Sequence, residues 1–357
     1  MKIKDLPTPV LIADRKIILE NMKTMSKILE RKKLRLRPHY KSNKCSAIAH
    51  KQIETGAVGI TCAKLSEAED LIMSGIEDVL IANQIVGKDK LLRLALLAGK
   101  CRLTVCVDDM DNARELSEAA IKADTVIHCL VEFEIGMERC GVKDPYEYLE
   151  LAKAIKDLPN LEYEGIQAYA GHVSHMLKEE ERLEYTEENF RKIRELKALL
   201  EENEIEVRTI SGGSTGTAVI KAQGDLYTEL QAGSYIFLDS TYNKLDIPFR
   251  NSLYVLATVM SKKDGLTILD VGVKGLGTDQ DDPLVFTMDG EEIQGSFELN
   301  EEHFKIFGPS KDLNIGEKVM IIPGHCCSTV NLYDQLYLYE GDKVCDRLRI
   351  TARGCSQ

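Results

Sequence analysis

The chain contains no apolar run approaching the roughly 18 residues that a membrane-spanning helix needs, and its start, MKIKDLPTPV, lacks the apolar stretch of a secretory signal. A cytoplasmic protein without membrane attachment is therefore expected. Positive charge is in short supply: 46 Lys and Arg stand against 58 Asp and Glu, a formal net charge of −12. A phosphate backbone would have to find a local basic patch against that field, so no nucleic-acid partner is expected. Proline is scarce, at 9 residues against 25 glycines, and 44% hydrophobic with 29% charged residues excludes disordered and fibrous chains. No CxxC occurs, although there are ten cysteines. Without an export signal these read as reduced thiols, most of them small buried hydrophobes.

What is present in the 357 residues is enough for one large domain or two ordinary ones. The first two-thirds alternate between β-branched runs and amphipathic helical stretches. Eight strands are expected: LRLRPH from Leu34, VGITC from Val58, VLIA from Val79, LTVCV from Leu103, VIHCLV from Val126, GIQAYA from Gly165, VRTIS from Val207 and SYIFL from Ser234. Between them lie helical patterns such as LSEAEDLIMSG, KDKLLRLALLAG and MDNARELSEAAIK, and a long one from Glu179 to Glu204. Strands separated by helices pair in parallel, and this number of units predicts a (β/α)8 barrel over residues 12–240. Beyond it, short apolar runs recur without helices, punctuated by turns such as Lys263-Asp264-Gly265 and Asp289-Gly290. Residues 241–357, with residues 1–11, are expected to form an antiparallel β domain.

Barrel chemistry belongs at the C-terminal ends of the strands. Lys41 falls just past the first expected strand, with Arg37 and Lys44 nearby. A neighbouring cation lowers a lysine pKa and frees the amine that condenses with an aldehyde. After the seventh strand comes Ser211-Gly212-Gly213-Ser214-Thr215-Gly216-Thr217, whose backbone N–H groups and hydroxyls suit an oxyanion, helped by the N-terminus of the next helix. It lacks the lysine of a P-loop, so nucleotide hydrolysis is not implied. Gly272 to Gly277 has the wrong glycine spacing for a dinucleotide site and reads as a β-domain loop. His325 and Cys327 follow the apolar run KVMII; in an extended segment, residues two apart face one side, so the pair suits a divalent metal with open coordination positions. His172 and His175 form a second possible cluster after the sixth strand.

These residues coincide with a known pattern over almost the whole chain, from Thr8-Pro9 to Ile350-Thr351-Ala352-Arg353-Gly354. The landmarks are Arg37-Pro38-His39 with Lys41 and Lys44, Gly136 to Gly141 around Arg139, Ile166-Gln167-Ala168-Tyr169, Gly212 to Thr217, Tyr227 to Tyr235, and His325 to Leu332. The chain resembles the D-threonine aldolase and D-serine dehydratase family of metal-dependent pyridoxal 5'-phosphate (PLP) enzymes, built on the alanine-racemase-type barrel (fold type III). The resemblance implies that Lys41 bonds PLP covalently, that Arg139 hydrogen-bonds its phenolic oxygen and that Tyr169 lies against its ring. It also implies that Gly213, Ser214, Thr215, Gly216 and Thr217, with Tyr235, hold the phosphate. By the same resemblance His175 would stand on the substrate side, and His325 with Cys327 would bind a divalent ion, zinc or manganese, with zinc favoured by the thiolate. The family is homodimeric, the partner's β domain closing the site.

Two features depart from the family's pattern. The aldolase branch has His-x-Asp as its metal pair, whereas the dehydratase branch has the His-x-Cys seen here, although the strand-eight segment and Ala352-Arg353-Gly354 look more like the aldolase branch. Ala170 stands where a histidine commonly follows the tyrosine, and His172 is extra. The expected substrate is a D-3-hydroxy amino acid. Cleavage of D-threonine to glycine and acetaldehyde is the leading expectation; D-serine or D-threonine dehydration to a 2-oxo acid and ammonia is the alternative.

Overall fold

The computed structural model describes residues 1–30, 34–308 and 313–357. The chain folds as two units. One comprises residues 1–24, 42–47 and 234–354, the other residues 25–41, 48–233 and 355–357. The chain opens with strand β1 (Val10–Asp14) and helix α1 (Arg15–Glu30), and the division falls within that helix.

The second unit is a parallel eight-stranded sheet: β2 (Arg35–Leu36), β3 (Ile60–Cys62), β4 (Asp78–Gln84), β5 (Arg102–Val107), β6 (Ile127–Glu132), β7 (Leu161–Ala168), β8 (Thr209–Gly212) and β9 (Glu229–Leu230). The strand order is β2-β9-β8-β7-β6-β5-β4-β3, and a parallel bridge from His39 to Thr61 joins the two ends into the expected (β/α)8 barrel. Its helices are α2 (Ser46–Glu54), α3 (Leu65–Met73), α4 (Lys88–Ala98), α5 (Met110–Ala123), α6 (Pro145–Asp157), α7 (Glu179–Glu202) and α8 (Ala218–Gln223). The helix starts follow from the sequence. The Asp109 side chain accepts the Asn112 N–H, and Asp144 caps α6 while Pro145 takes the first helical position, where no N–H is needed. Leu80, Cys106 and Leu130, one from each of β4, β5 and β6, pack as a layer inside the barrel.

The eighth strand is not where the pattern placed it. SYIFL is a 3-10 turn at Ser234–Ile236, and the barrel closes instead through the two residues Glu229 and Leu230. Glu229 and Leu230 lie in no alternating run that could be read, unlike the equally short β2 within LRLRPH, whereas the apolar run that follows is buried without being a strand. Besides its backbone pairing to β2 and β8, charge holds this short strand. The Arg37 guanidinium donates to Glu229 at 2.9 and 3.0 Å and to Asp78 at 2.7 Å, with Arg37 and Glu229 both buried. Burial pushes the Glu229 carboxyl up, but Arg37 outweighs it and holds the group below the ordinary carboxylate range. The stabilisation is therefore complete above that range and is lost as pH falls through the lowered value. Arg37→Ala, which strands a buried carboxylate, is expected to cost about 3–5 kcal/mol in urea unfolding, and Arg37→Met with Glu229→Leu much less.

The first unit holds β1 and the strands β10 (Leu253–Lys263), β11 (Leu266–Leu269), β12 (Leu284–Thr287), β13 (Ser296–Leu299), β14 (Phe304–Phe307), β15 (Lys318–Ile322), β16 (Gln335–Glu340) and β17 (Lys343–Arg349). The order is β13-β14-β11-β10-β1-β16-β17, with β15 pairing β10 and β12. It is antiparallel as expected except for the parallel pair β1 and β16. Ile3, Leu6, Val10, Ile12, Leu256 and Tyr339 form a core cluster. A short helix, α9 (Cys326–Val330), follows β15. All ten cysteines are free thiols. No helix among the described residues is long and apolar enough to cross a membrane.

Candidate active site

Lys41 lies in a 3-10 turn, Tyr40–Ser42, immediately beyond the end of β2. The backbone there is pinned from both sides: the His39 N–H donates to Ala232 O at 3.3 Å, and Pro38 O accepts from Thr61 N at 2.9 Å. Tyr40 is fully buried, its hydroxyl 2.5 Å from Asp70. Lys41 Nζ stands 5.8 Å from the centre of the Tyr169 ring, and the Arg139 guanidinium 5.4 Å from the same centre. With His39, Asn83, Gln167 and Gln231 they line a cavity of about 160 Å³. One expectation fails here. Arg37 does not lend its charge to Lys41, because its guanidinium is engaged by Glu229 and Asp78. Arg139 is the cation on the Lys41 cavity.

Arg139 is carried by a tight loop after β6, with positive φ at Gly136, Glu138 and Gly141. The Glu134 carboxylate accepts the N–H of Gly136 at 2.7 Å and of Glu138 at 2.8 Å, which fixes the loop. Arg139 approaches Glu132 to 3.8 Å, and Glu132 accepts from Gln84 at 2.6 Å; burial raises the Glu132 carboxyl. His172 packs edge-on against Tyr185 and fills the space that a Cβ on Gly136 would need, 3.2 Å away. It supports the Arg139 loop. His175 lies half-buried beyond the turn Gly171–Val173 that follows β7.

The glycine-rich loop begins where β8 ends. A Cβ on Gly212 would fall 2.0 Å from Ala168 O, and Gly213 has φ +77° with Leu230 and Lys221 pressed against it, so neither position admits a side chain. Ser214 N donates to Thr217 Oγ1 at 3.1 Å. Thr215 is buried and its hydroxyl has no protein partner, which is what a loop built for an exogenous oxyanion leaves open. The helix after it, α8, has only six residues, so the expected field of a helix N-terminus is weak here. Gln231 donates to Gln167 at 2.7 Å and to Ser211 at 2.9 Å, a buried amide network at the cavity that residue type alone did not reveal.

In the other unit, His325 and Cys327 do not share an extended segment. His325 is extended, but it is the N-cap of α9, and Cys327 is already helical. The two side chains still meet: burial works against a charged imidazole, yet hydrogen bonding to Cys327 and the Asp279 carboxylate raise the His325 pKa to about 9. Asp279 accepts from His325 Nδ1 at 2.6 Å and from Ser328 at 2.5 Å, the outer support that orients a metal-binding histidine. Ser42 and Ser234 hydroxyls lie 3.3 and 3.7 Å from Cys327 Sγ. Cys326 is buried and its thiol is held well above the ordinary range by Cys327 and by burial, so it stays inert. Tyr235 is fully buried against Phe249, 5.8 Å between ring centres.

The sequence profile described as "Alanine racemase, N-terminal domain" matches residues 13–241, and that described as "Putative serine dehydratase domain" matches residues 252–339. A D-threonine aldolase from Arthrobacter sp. is 39% identical over 98% of this chain and 93% of its own length. The chain belongs to the D-threonine aldolase and D-serine dehydratase family of alanine-racemase-type barrels. Within this family, a 3-hydroxy-D-aspartate aldolase from Paracoccus denitrificans is 33% identical over 99% of this chain and 94% of its own. The crystal structure of D-threonine aldolase from Filomicrobium marinum superposes with a TM-score of 0.95 at 36% identity, covering 99% of this chain and 97% of that one.

Membership makes this a fold-type III PLP barrel, and the residues fit that group: an amine and a guanidinium on one aromatic ring, and an orphaned buried hydroxyl in a glycine loop. The imidazole and thiol of His325 and Cys327, with Asp279 behind the imidazole, are a donor set that fits a divalent ion. A different cluster, which sequence reasoning missed, joins His128 with Glu162 and Glu164 at the starts of β6 and β7. Arg102 already pairs with Glu164 at 2.9 Å, and the cluster sits at the end of the strands where barrels build stability.

Proposed function

We propose that this chain is a PLP- and divalent-metal-dependent lyase of the D-threonine aldolase type, cleaving D-threonine to glycine and acetaldehyde. The observation that supports this reading most is the near-full-length likeness to an aldolase, in a chain whose Lys41 and Arg139 face one ring.

Lys41 would anchor PLP, which, once its bond to Lys41 is exchanged for one to the substrate's amino group, would supply an electron sink for charge developing at Cα. Tyr169 sets the plane in which Lys41 and Arg139 work, and Arg139, steadied by the Glu134-fixed loop and by Glu132, directs its donors at the phenolic oxygen. Gly213 and Gly216 give their backbone N–H groups, and Ser214, Thr215 and Thr217 their hydroxyls, to the phosphate. His325 and Cys327 would hold the divalent ion, zinc by the softness of the thiolate, and the ion would supply Lewis acidity when bound. Asp279 keeps the His325 ring turned so that its other nitrogen is the donor. His175 takes the proton of the β-hydroxyl.

A second reading, dehydration to a 2-oxo acid and ammonia with Lys41 taking the Cα proton, is favoured by one observation, the thiolate in the His-x-Cys pair. Aldehyde release from D-threonine and not from L-threonine is expected of the aldolase; release from neither D-threonine nor D-3-hydroxyaspartate contradicts it.

A further inference from the structure

Lys221 on α8 is 3% exposed. Its Cδ and Cε stand 2.7 and 3.1 Å from where a Cβ on Gly213 would be, so its stem lies against the backbone of the glycine loop. Its Nζ is 3.7 Å from the centre of the Tyr227 ring and 5.2 Å from that of Phe190. No carboxylate pairs with it among the described residues, and burial alone draws its pKa down to about 7. The titratable and charged groups around this box are few. Tyr227 donates its hydroxyl to Ala168 O at 3.0 Å and is held above the ordinary phenol range by burial. From α7, Arg194 lies over Phe190 and pairs with Asp225 at 3.5 Å. Neither can balance an ammonium in the box.

A buried cation without a counter-charge is destabilising unless something bound compensates it. The loop that packs on its stem carries the orphaned Thr215 hydroxyl, and the six-residue α8 brings little field of its own. We propose that Lys221 is a positioning residue for the cofactor phosphate, balancing the anion held by the Gly213 to Thr217 loop and taking up a proton as the anion binds. This rests on the PLP reading above. Linkage is reciprocal: an anion raises the lysine pKa, so anion affinity weakens as pH rises through about 7 toward the raised value of the complex.

The test uses the full chain freed of PLP. Inorganic phosphate is titrated calorimetrically near pH 8, about one unit above the lysine value, in two buffers of different ionisation enthalpy. Net proton uptake is expected; phosphate bound as the dianion would by itself release protons and phosphate bound as the monoanion would take them up even without Lys221, so no uptake by the unmutated protein overturns the proposal without any variant, and uptake counts for Lys221 only where the variant loses it. In Lys221→Met, which fills the aromatic box with an apolar chain of similar length, uptake should vanish. PLP affinity should fall about tenfold while affinity for pyridoxal, which lacks the phosphate, stays unchanged. Equal loss for PLP and pyridoxal, or unchanged uptake, contradicts the assignment. Failure of the unmutated protein to bind PLP at all would instead remove the functional reading beneath it.

Discussion

Lys41→Ala should lower aldehyde release from D-threonine by about a thousandfold or more, the loss that follows when the covalent anchor of the cofactor is removed. The expectation is specific because the position is built by its neighbours. The backbone is fixed through His39, Pro38 and buried Tyr40, so truncating the half-buried Lys41 side chain leaves the turn in place and the thermal midpoint nearly unchanged. The variant should still take up PLP through the glycine loop, but without the absorbance near about 420 nm that covalent attachment to a lysine gives. Full activity, or that band persisting in Lys41→Ala, would move the anchor elsewhere; buried Lys221 would be the next residue to test.

Cys327→Ala is the second large effect. Removing one of two protein ligands should reduce bound metal and activity together by about a hundredfold or more, beyond the 10- to 100-fold that loss of outer support costs. Asp279→Asn, which leaves both ligands and weakens the bonds to His325 and Ser328, belongs in that lower range. The PLP spectrum should be unaffected in both variants, since Lys41, Arg139 and the glycine loop are untouched. Metal content equal to the unmutated protein in Cys327→Ala would remove Cys327 from the ligand set. Cys326→Ala, deleting the inert neighbour, should leave the metal in place.

What could be read from residue order was whatever repeats or punctuates. Seven of the barrel strands and the long helix near Glu179 announced themselves by period, and Lys41 by its place at a strand end. The eighth strand was displaced because Glu229 and Leu230 stand in no apolar or alternating run of their own, whereas the equally short β2 falls inside the alternation LRLRPH, and because an ion pair between Arg37 and Glu229, 192 positions apart, helps to hold it. The same ion pair explains why Arg37, plausible beside Lys41 in one dimension, is unavailable to it. His325 and Cys327 come together by a geometry other than the expected one: not two residues of a strand, but a cap and the first turn of a helix. The glutamine network of Gln167 and Gln231 and the aromatic box around Lys221 were invisible, since each depends on packing between distant segments and neither residue type signals chemistry by itself. Asp279, 46 positions before His325, belongs to the same class.

Everything proposed for the reaction turns on the Cα–Cβ bond of a D-3-hydroxy amino acid being the bond that breaks. Proton NMR of D-threonine incubated with the enzyme, PLP and Zn2+ tests it in one tube. Glycine and acetaldehyde are predicted to grow in equal amounts as D-threonine disappears. Accumulation of 2-oxobutanoate with ammonia, and no glycine, would contradict the aldolase reading and assign the chain to the dehydratases.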